Sequence, residues 1–398
     1  MTEFAPQIGD APPSEAPPPE PLVFEFRGNA REYFRIWVVN LALSLSTLGL
    51  YSPWAKVRRL RYFYGNTYLD GSSFEFLGSP IAILKGRVIA VTAFGAYWYA
   101  SHFHPVANVV LVPILAIGFP WVMVKALRFR ARHSAFRNIT FSYYGRYVSL
   151  AIAYLTVPIL ATGAIITVFV LIGGTVDFSG AVPVVLDPAA AKRFALTFPA
   201  VMLVALAVYP YFYFRQRRAI FAPRGFGDTA FEFHCGPGAF YGVFLLTILL
   251  AVCAFVAFGL SAWFTGVVGK AAHISMSSEL IQKVLPLLFG LVYLYIFVAF
   301  NTLVRNRVIN ALRIGEARLV SRLSVGTVYW LYLSNIAAIV CSLGLLAPWA
   351  KIRLTRYQLA QTSLITPQGT EEFPGSPGES ASAVGEELAE VFDLDLAI

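Results

Sequence analysis

The sequence predicts an all-α, polytopic membrane protein with internal repeats and short β-hairpins on its cytoplasmic face. Hydrophobic residues make up 57% of the chain and charged residues 13%, whereas ordinary soluble domains have about 45–50% and about 25%. Residues 40–62 also match residues 335–357 at 12 of 23 positions without a gap. In both copies an apolar run precedes Pro-Trp and then basic residues, which is typical of a membrane helix that ends at a charged interface.

The charged residues are segregated along the chain. Residues 1–22 and 367–398 contain no Lys or Arg and hold 12 of the 22 acidic residues, which leaves 31 basic and 10 acidic residues in 23–366. Both termini are therefore predicted to be disordered acidic tails, the first of them Pro-rich. The basic residues stand in short clusters after apolar runs, which favours anionic lipid over nucleic acid as a partner.

Eight apolar segments approach the roughly 20 helical residues that cross about 30 Å of hydrocarbon. They are residues 33–52, 87–103, 106–124, 147–171, 194–214, 239–265, 284–302 and 327–349. These segments define a membrane domain over residues 23–366. Lys and Arg concentrate in alternate loops, and these loops are predicted to be cytoplasmic because cytoplasmic loops retain an excess of Lys and Arg.

The basic loops share a pattern that predicts five repeat units in the membrane domain. In most units a Pro or polar residue precedes a basic segment, a turn and a strand-like sequence such as FEFLG at 74–78. Asp70-Gly71, Gly315-Glu316 and Pro367-Gln368-Gly369 supply turn residues between alternating sequences, which predicts β-hairpins. FEFRG at 24–28 resembles the second strand of such a hairpin alone.

Eight full crossings conflict with this repeat, because they place the fifth basic segment outside and the first inside. Two interpretations remain open for the terminal segments 33–52 and 327–349. Either both cross the membrane fully, or both are re-entrant or kinked, with breaks at Leu48-Gly49 and Leu343-Gly344. A broken helix at membrane depth is tolerated only where protein covers the freed backbone groups.

Several of these motifs resemble the YjgN family of bacterial inner-membrane proteins. The resemblance lies in FEFRG at 24–28, in TLGLYSPWAKVRRLRYFYGNTYLDG at 47–71 and in VKALRFRARHSAFRNITFSYYG at 124–145, and it extends over about 24–373. It implies a multi-pass protein of the bacterial inner (plasma) membrane with no established function. It supplies no catalytic residues to carry over.

Polar residues in the repeated segments are candidates for an interior site. Asn40 and Asn335 occupy equivalent positions and either contact a substrate or form hydrogen bonds between helices. Pro53-Trp54 and Pro348-Trp349 are candidate hinges, and the structural alternative is a helix end with an interfacial aromatic residue.

Basic clusters are candidates for binding lipid phosphate, and the alternative is that they only anchor the topology. The candidate residues are Lys56, Arg58, Arg59, Arg61, Lys351, Arg353 and Arg356, with Lys125, Arg128, Arg130 and Arg132 in the second unit. His102, His104 and His273 share one predicted side but have no nearby carboxylate, so no metal site is predicted.

The sequence favours a transporter or channel-like facilitator, because internal repeats commonly place a site at their interface. The alternative is a non-transporting envelope scaffold or an anionic-lipid-binding membrane protein. The cores of the apolar segments contain no ionisable residue, which disfavours a proton-relay pump. No catalytic residue and no cofactor is predicted, and an enzyme is not expected, since neither a phosphate-binding glycine loop nor a nucleophile motif is present.

Overall fold

The structure is a computed structural model that describes residues 20–172, 176–177, 184–185, 188–271 and 278–366. Ten α-helices lie in these residues: α1 (Ala30–Ser46), α2 (Ser52–Gly65), α3 (Pro80–Phe103), α4 (Asn108–Arg132), α5 (Tyr147–Ile172), α6 (Pro188–Phe221), α7 (Pro237–Ala271), α8 (Ser278–Asn310), α9 (Val325–Cys341) and α10 (Ala347–Ala360). Most of the predicted N-terminal tail, the whole C-terminal tail and His273 lie outside the described residues.

The described strands are short. They are β1 (Pro21–Val23), β2 (Glu25–Phe26), β3 (Thr67–Leu69), β4 (Ser72–Phe76), β5 (Ser134–Phe136), β6 (Ile139–Tyr143), β7 (Val176–Asp177), β8 (Val184–Val185), β9 (Arg224–Phe226), β10 (Thr229–Phe233), β11 (Leu312–Ile314), β12 (Ala317–Ser321) and β13 (Thr362–Ile365). All except β7 and β8 belong to one antiparallel sheet, in the order β1-β13-β12-β11-β10-β9-β6-β5-β4-β3-β2.

This sheet closes on itself through the first described residues of the chain. Its two end strands, β1 and β2, are separated along the chain by Phe24 alone. β1 pairs with β13 and β2 pairs with β3, and the backbone N–H of Phe24 donates to the carbonyl of Thr362 at 3.1 Å. Residues 21–26 therefore join the last strand to the first hairpin, which leaves the sheet without a free edge.

Two of the three predicted hairpins are present, at Asp70-Gly71 and Gly315-Glu316, where β3 pairs with β4 and β11 with β12. The third predicted turn, Pro367-Gln368-Gly369, lies outside the described residues. Asp70 and Gly71 both have positive φ, 48° and 71°, as a two-residue hairpin turn requires. The hairpins are joined into one closed sheet of eleven strands, a feature that the prediction of short hairpins on an all-α protein did not include. Their mutual pairing was not predicted because it connects strands that are far apart in sequence.

An aromatic residue packs over a glycine two positions later at three of the helix starts. A Cβ built on Gly28 lies 2.6 Å from the Phe26 ring, and one built on Gly78 lies 2.4 Å from the Phe76 ring. A side chain of the preceding helix α2 also forms a hydrogen bond to such a turn: the Arg61 guanidinium donates to the Gly78 carbonyl at 3.3 Å. Close approach to the ring therefore accounts for the glycine in these FxFxG sequences.

Gly78→Ala should destabilise the protein by about 1–3 kcal/mol, because its methyl group forces the Phe76 ring or the backbone to shift. Gly95→Ala is the matched control: Gly95 lies inside α3 with no atom within 4 Å of an added Cβ, and alanine is the better helix former. Thermal unfolding of both variants in the same detergent checks the prediction. Equal midpoints would contradict this explanation of the glycine.

The helices form a ring that stands on the sheet. Each packs against its neighbour in chain order, and α10 packs against α1. Helices α2, α4, α6, α8 and α10 each lead directly into a strand of the closed sheet, whereas α1, α3, α5, α7 and α9 each follow one. Every pair of helices between two strands of this sheet therefore leaves the sheet and returns to it.

Six helices of the described chain are long and apolar enough to cross a membrane, whereas the sequence contains eight apolar segments, two of which it leaves open as either spanning or re-entrant. The exceptions are the segments 33–52 and 327–349, which correspond to α1 and α9. Each of these helices has 17 residues, or about 25 Å at 1.5 Å per residue, which is short of about 30 Å of hydrocarbon.

Both short helices end in a tight turn, and the following helix returns to the sheet. Leu48 and Leu343 each have φ 51°, followed by Gly49 and Gly344 with φ 89° and 92°. The leucine side chains at the two tips are 96% and 94% exposed. This geometry agrees with the re-entrant interpretation, and it leaves both basic segments beside the same sheet.

Candidate anion-binding chamber

The closed sheet carries a ring of apolar side chains on its inner side. Residues 21–26 and each of the other strands of the closed sheet contribute at least one residue to a single cavity lining. The ring comprises Phe24, Leu69, Phe74, Phe136, Phe141, Phe226, Phe231, Ile314, Leu319 and Leu364. Phe74 faces Phe136 with ring centroids 4.7 Å apart, and Phe141 faces Phe226 at 4.9 Å. We refer to these ten residues as the apolar ring.

Two adjoining cavities lie against the apolar ring. The first has a volume of about 390 Å³ and the second about 140 Å³. Both are lined by Phe24, Phe74, Phe141, Lys351 and Leu359. We call the two cavities together the chamber. The first cavity alone is as large as the smaller ligand pockets of proteins.

The chamber is lined by cations. Each helix that leads into the closed sheet contributes one: Arg59 from α2, Arg130 from α4, Arg217 from α6, Arg305 from α8 and Lys351 from α10. A sixth, Arg224, comes from strand β9. Among the described residues, no Asp or Glu lines either cavity. The arrangement can therefore attract and hold an anion.

Three of these arginines have uncharged partners. Arg217 donates to the Tyr213 hydroxyl at 2.5 Å, and its guanidinium carbon lies 4.7 Å from the centroid of that ring. Arg305 is 3.4 Å from the side-chain oxygen of Gln358, and within the described structure its buried Nε has no hydrogen-bond partner. Arg224 donates to the Ile220 carbonyl at 3.2 Å. Their positive charges are thus not balanced by these contacts.

The lowered pKa of Arg224 shows that the chamber destabilises the charged form of its guanidinium. The pKa of Arg224 is lowered to about 10, chiefly by burial and also by the nearby charge of Arg130, while Tyr143 and Tyr64 partly offset these effects. At neutral pH the guanidinium remains charged, because the pH lies well below that pKa. A bound anion would compensate both the desolvation and the repulsion.

Asn40 and Asn335 each form a hydrogen bond between consecutive helices: Asn40 connects α1 to α2, and Asn335 connects α9 to α10. Asn40 donates to the carbonyl of Ala55, and Asn335 to that of Ala350, both at 3.3 Å. Asn335 also accepts from Arg353 at 3.3 Å. Neither lines the chamber, and their contact with a substrate stays a prediction.

The candidate phosphate-binding cations occupy different environments. Arg59 and Lys351 line the chamber. Arg356 donates to the Gly28 carbonyl at 2.9 Å, as Arg61 does to Gly78, and Arg353 donates to Ser334 at 2.6 Å. Lys56 is partly buried with further interactions, and Arg58 is exposed. In the second unit, Arg130 lines the chamber and Arg128 donates to Gly145 at 3.1 Å.

The two Pro-Trp pairs lie at the start of α2 and of α10, the helices that follow the short helices α1 and α9. Pro53 and Pro348 lie in the first turn of α2 and α10, where a missing N–H costs nothing. Both prolines are buried, whereas Trp54 and Trp349 are 37% exposed. A hinge role for these residues stays a prediction. His102 and His104 are adjacent to the turn between α3 and α4, and no cluster suited to a metal occurs among the described residues.

The sequence analysis did not single out Arg217, Arg224, Arg305 or the apolar ring as a site. The alternating aromatic residues of FEF at 24–26 and 74–76 were a usable signal, because residues two positions apart on a strand share one face of the sheet, and a face with two phenylalanines is expected to be buried. The arginines had no comparable signal, since the basic clusters contain several candidates on each helix.

The fold defines a polytopic helical membrane protein whose helices stand on a closed sheet. The chain belongs to the family described as bacterial protein of unknown function (DUF898), which matches residues 21–391. It is also similar to the inner membrane protein YjgN of Escherichia coli K12, with 31% identity over 126 residues. The YjgN protein of Salmonella typhimurium LT2 shows 30% identity over 122 residues.

Each alignment covers 30% of this chain and 30% of the relative. No solved structure matches the chain. The matches confirm the resemblance to the YjgN family. Together with six helices suited to cross a membrane, they identify a multi-pass inner-membrane protein.

Proposed function

We propose that this protein binds the headgroup of an anionic membrane lipid in its chamber. The observation that carries the proposal is the chamber lining: six cations, an apolar ring and, among the described residues, no carboxylate. Phosphate is the anion best suited to such a site, because guanidinium groups bind it with paired, charge-assisted hydrogen bonds. Basic pockets between membrane helices recognise anionic headgroups in this way.

The space among the long helices favours a lipid over a soluble anion. In α4, Val109, Val110, Val112, Ile114 and Leu115 are each 48–74% exposed. At 100° per residue these positions point in every direction around the helix, so some of them face the inside of the helix ring. The most apolar windows of the six long helices are only 6–22% buried. Acyl chains could fill that space while the headgroup occupies the chamber.

A transporter or channel-like facilitator is less well supported, although the sequence favoured it. A solute path needs polar groups across the membrane, and the cores of the apolar segments contain no ionisable residue. Lipid binding without transport, by a protein that is not an enzyme, therefore accounts for more of the geometry.

The closed sheet supports an arrangement of five repeat units with all basic segments on one side. We place that side in the cytoplasm, since Lys and Arg are retained there. A reporter fused after residue 366 should give a cytoplasmic signal, as should one inserted at Gly71. Opposite signals would contradict the re-entrant geometry of α9 and α10.

The test of lipid binding compares two double variants of equal charge. Arg217→Gln with Arg305→Gln removes two chamber cations, whereas Arg313→Gln with Arg318→Gln removes two exposed cations of the sheet. Each protein is purified in mild detergent, and bound phospholipid is measured by phosphorus content and native mass spectrometry. The chamber variant should lose anionic lipid that the control retains. Equal lipid in both proteins would refute the proposal.

A further inference from the structure

The five helices that lead into the closed sheet can be compared position by position, because only one or two residues separate each helix from its strand. The residue seven positions before the first residue of the strand is Arg217 in α6 and Arg305 in α8. In α2, α4 and α10 the same position holds Leu60, Leu127 and Thr355. Leu60 and Thr355 line the chamber, as the two arginines do. The position therefore faces the chamber in four of the five helices, and only two consecutive ones place a charge there.

The next position along these helices has a structural role that recurs. In four of the five helices it donates a hydrogen bond to the carbonyl two residues before the next helix around the ring. The donors are Arg61, Arg128, Asn306 and Arg356. Arg217 and Arg305 instead contact the side chains of Tyr213 and Gln358. A charge that occurs in only two helices is not required to build the repeated arrangement, which favours a role in binding.

Arg224 departs from the repeated pattern at a second position, the first residue of the strand. In three of the other four strands a hydroxyl side chain there donates to the carbonyl four residues earlier. These residues are Thr67, Ser134 and Thr362. Arg224 makes the same contact through Nε, which donates to the Ile220 carbonyl at 3.2 Å. The arginine thus keeps the local hydrogen bond and adds a positive charge to the first cavity.

The three arginines line one cavity, and their hydrogen bonds in the described structure are to uncharged groups. A phosphodiester headgroup has one negative charge and two unsubstituted oxygens. A phosphomonoester approaches two negative charges at neutral pH and has three such oxygens. Because guanidinium groups bind phosphate oxygens through charge-assisted hydrogen bonds, a phosphomonoester matches three arginines more fully than a phosphodiester does.

We propose that Arg217, Arg224 and Arg305 form one site for the terminal phosphate of a lipid, the phosphomonoester chemistry of phosphatidic acid. This inference rests on the proposed function and specifies its ligand and its binding residues. The phosphate lies in the first cavity, where its oxygens accept hydrogen bonds from the three guanidinium groups. The acyl chains extend among the long helices.

The experiment titrates the delipidated full-length protein in neutral detergent with phosphatidic acid and with phosphatidylglycerol of the same acyl chains. Native mass spectrometry and thermal shift measure binding, and inorganic phosphate is the soluble comparison. At neutral pH phosphatidic acid should bind at least about tenfold more tightly than phosphatidylglycerol, because an additional hydrogen bond between charged groups is worth roughly a tenfold change or more.

The pH dependence of the wild type is a second readout. A phosphomonoester takes up its second proton near a pKa of about 6, so the affinity for phosphatidic acid should fall about fourfold between about pH 7.5 and about pH 5.5. Phosphatidylglycerol should show no such change. The ionisable side chains among the described residues of the first cavity are Arg217, Arg224, Arg305, Lys351 and Tyr332. Because no His, Asp or Glu is among them, the phosphate is the group expected to titrate in this range.

Arg217→Leu and Arg305→Leu test the assignment of residues, because each gives its helix the residue that α2 and α4 hold at the same position. Each should lower the affinity for phosphatidic acid about tenfold. Arg307→Leu is the matched control, because Arg307 is exposed on α8 and outside the chamber lining, and it should keep the full preference. Thermal unfolding without lipid is compared first, and the pH dependence of the wild type keeps the test valid if a variant fails to fold.

Equal affinities for the two lipids, or an affinity for phosphatidic acid that does not change with pH, would overturn the phosphomonoester inference and leave lipid binding intact. A full preference in both leucine variants would overturn the assignment to these arginines. Inorganic phosphate that stabilises the protein as much as phosphatidic acid at equal concentration would identify a soluble ligand and contradict the proposed lipid. Binding of neither lipid would overturn the proposed function as well.

Discussion

Phe24→Ala should lower the free energy of unfolding by about 3–5 kcal/mol, as expected for a large aromatic residue removed from a packed core. Phe24 is 5% exposed and packs against Phe74. It also lies between β1 and β2, where the chain connects the last strand to the first hairpin. Loss of its side chain should therefore weaken the closure of the whole sheet.

The control for this substitution is the adjacent residue. Val23 is 46% exposed, so Val23→Ala removes apolar atoms from the same strand without opening the apolar ring. Thermal and denaturant unfolding in one detergent give the comparison. A loss for Phe24→Ala no greater than that for Val23→Ala would show that the closing strand contributes little.

Arg305→Met should have two effects of opposite sign. Arg305 is partly buried in the chamber lining, and its Nε has no hydrogen-bond partner among the described residues. An apolar side chain of similar size removes the cost of that unsatisfied buried group, which is about 1–3 kcal/mol. The delipidated variant should therefore unfold at a higher temperature than the wild type. The stabilisation gained from added anionic lipid, about 2.7 kcal/mol at a hundredfold excess over Kd, should shrink.

Arg307→Met serves as the control, since Arg307 is an exposed arginine on the same helix and outside the chamber lining. It should change neither quantity by more than about 0.5 kcal/mol. Unfolding of both variants is measured with and without phosphatidic acid. An Arg305→Met protein that is less stable without lipid and equally stabilised by lipid would contradict a binding role for this charge.

Local sequence was sufficient to predict the hairpins but not the closed sheet. Asp70-Gly71 specifies its turn through backbone conformations that few residues adopt. The pairing of Leu22 with Leu364 has no local signal, because it connects the two ends of the chain. Closure therefore became visible only in the structure.

The membrane crossings illustrate a second limit of prediction from sequence. Hydropathy alone cannot distinguish a spanning helix from an apolar helix that turns back, and the decisive feature at 33–52 is the positive φ of Leu48 and Gly49. The repeated Leu-Gly had indicated a break, whereas segment length favoured a crossing. The return helix α2 then takes its first turn from Pro53.

The chamber was partly predictable. Arg59 and Lys351 were candidates because each follows an apolar segment, and both line the chamber. Arg217 lies in a cluster with Arg215 and Arg218, and only the packing of α6 decides which of these cations faces the chamber. The direction of a side chain on a helix depends on its tertiary neighbours, so the basic cluster alone could not identify the lining residue.

The closed sheet underlies the chamber, and a disulfide across its closing strand tests it most directly. Val23 and Ser363 are Cα partners in the β1–β13 pair. The test protein has the three native cysteines, Cys235, Cys253 and Cys341, replaced by Ser and carries Val23→Cys with Ser363→Cys. We expect these two cysteines to form a disulfide on mild oxidation in membranes. Val320 pairs with Ser363 from the other side and lies about 9–10 Å from Val23, too far for a disulfide. We predict a disulfide in the protein with Val23→Cys and Ser363→Cys, and none in the protein with Val23→Cys and Val320→Cys. Failure of the first pair in folded protein would contradict the closed sheet.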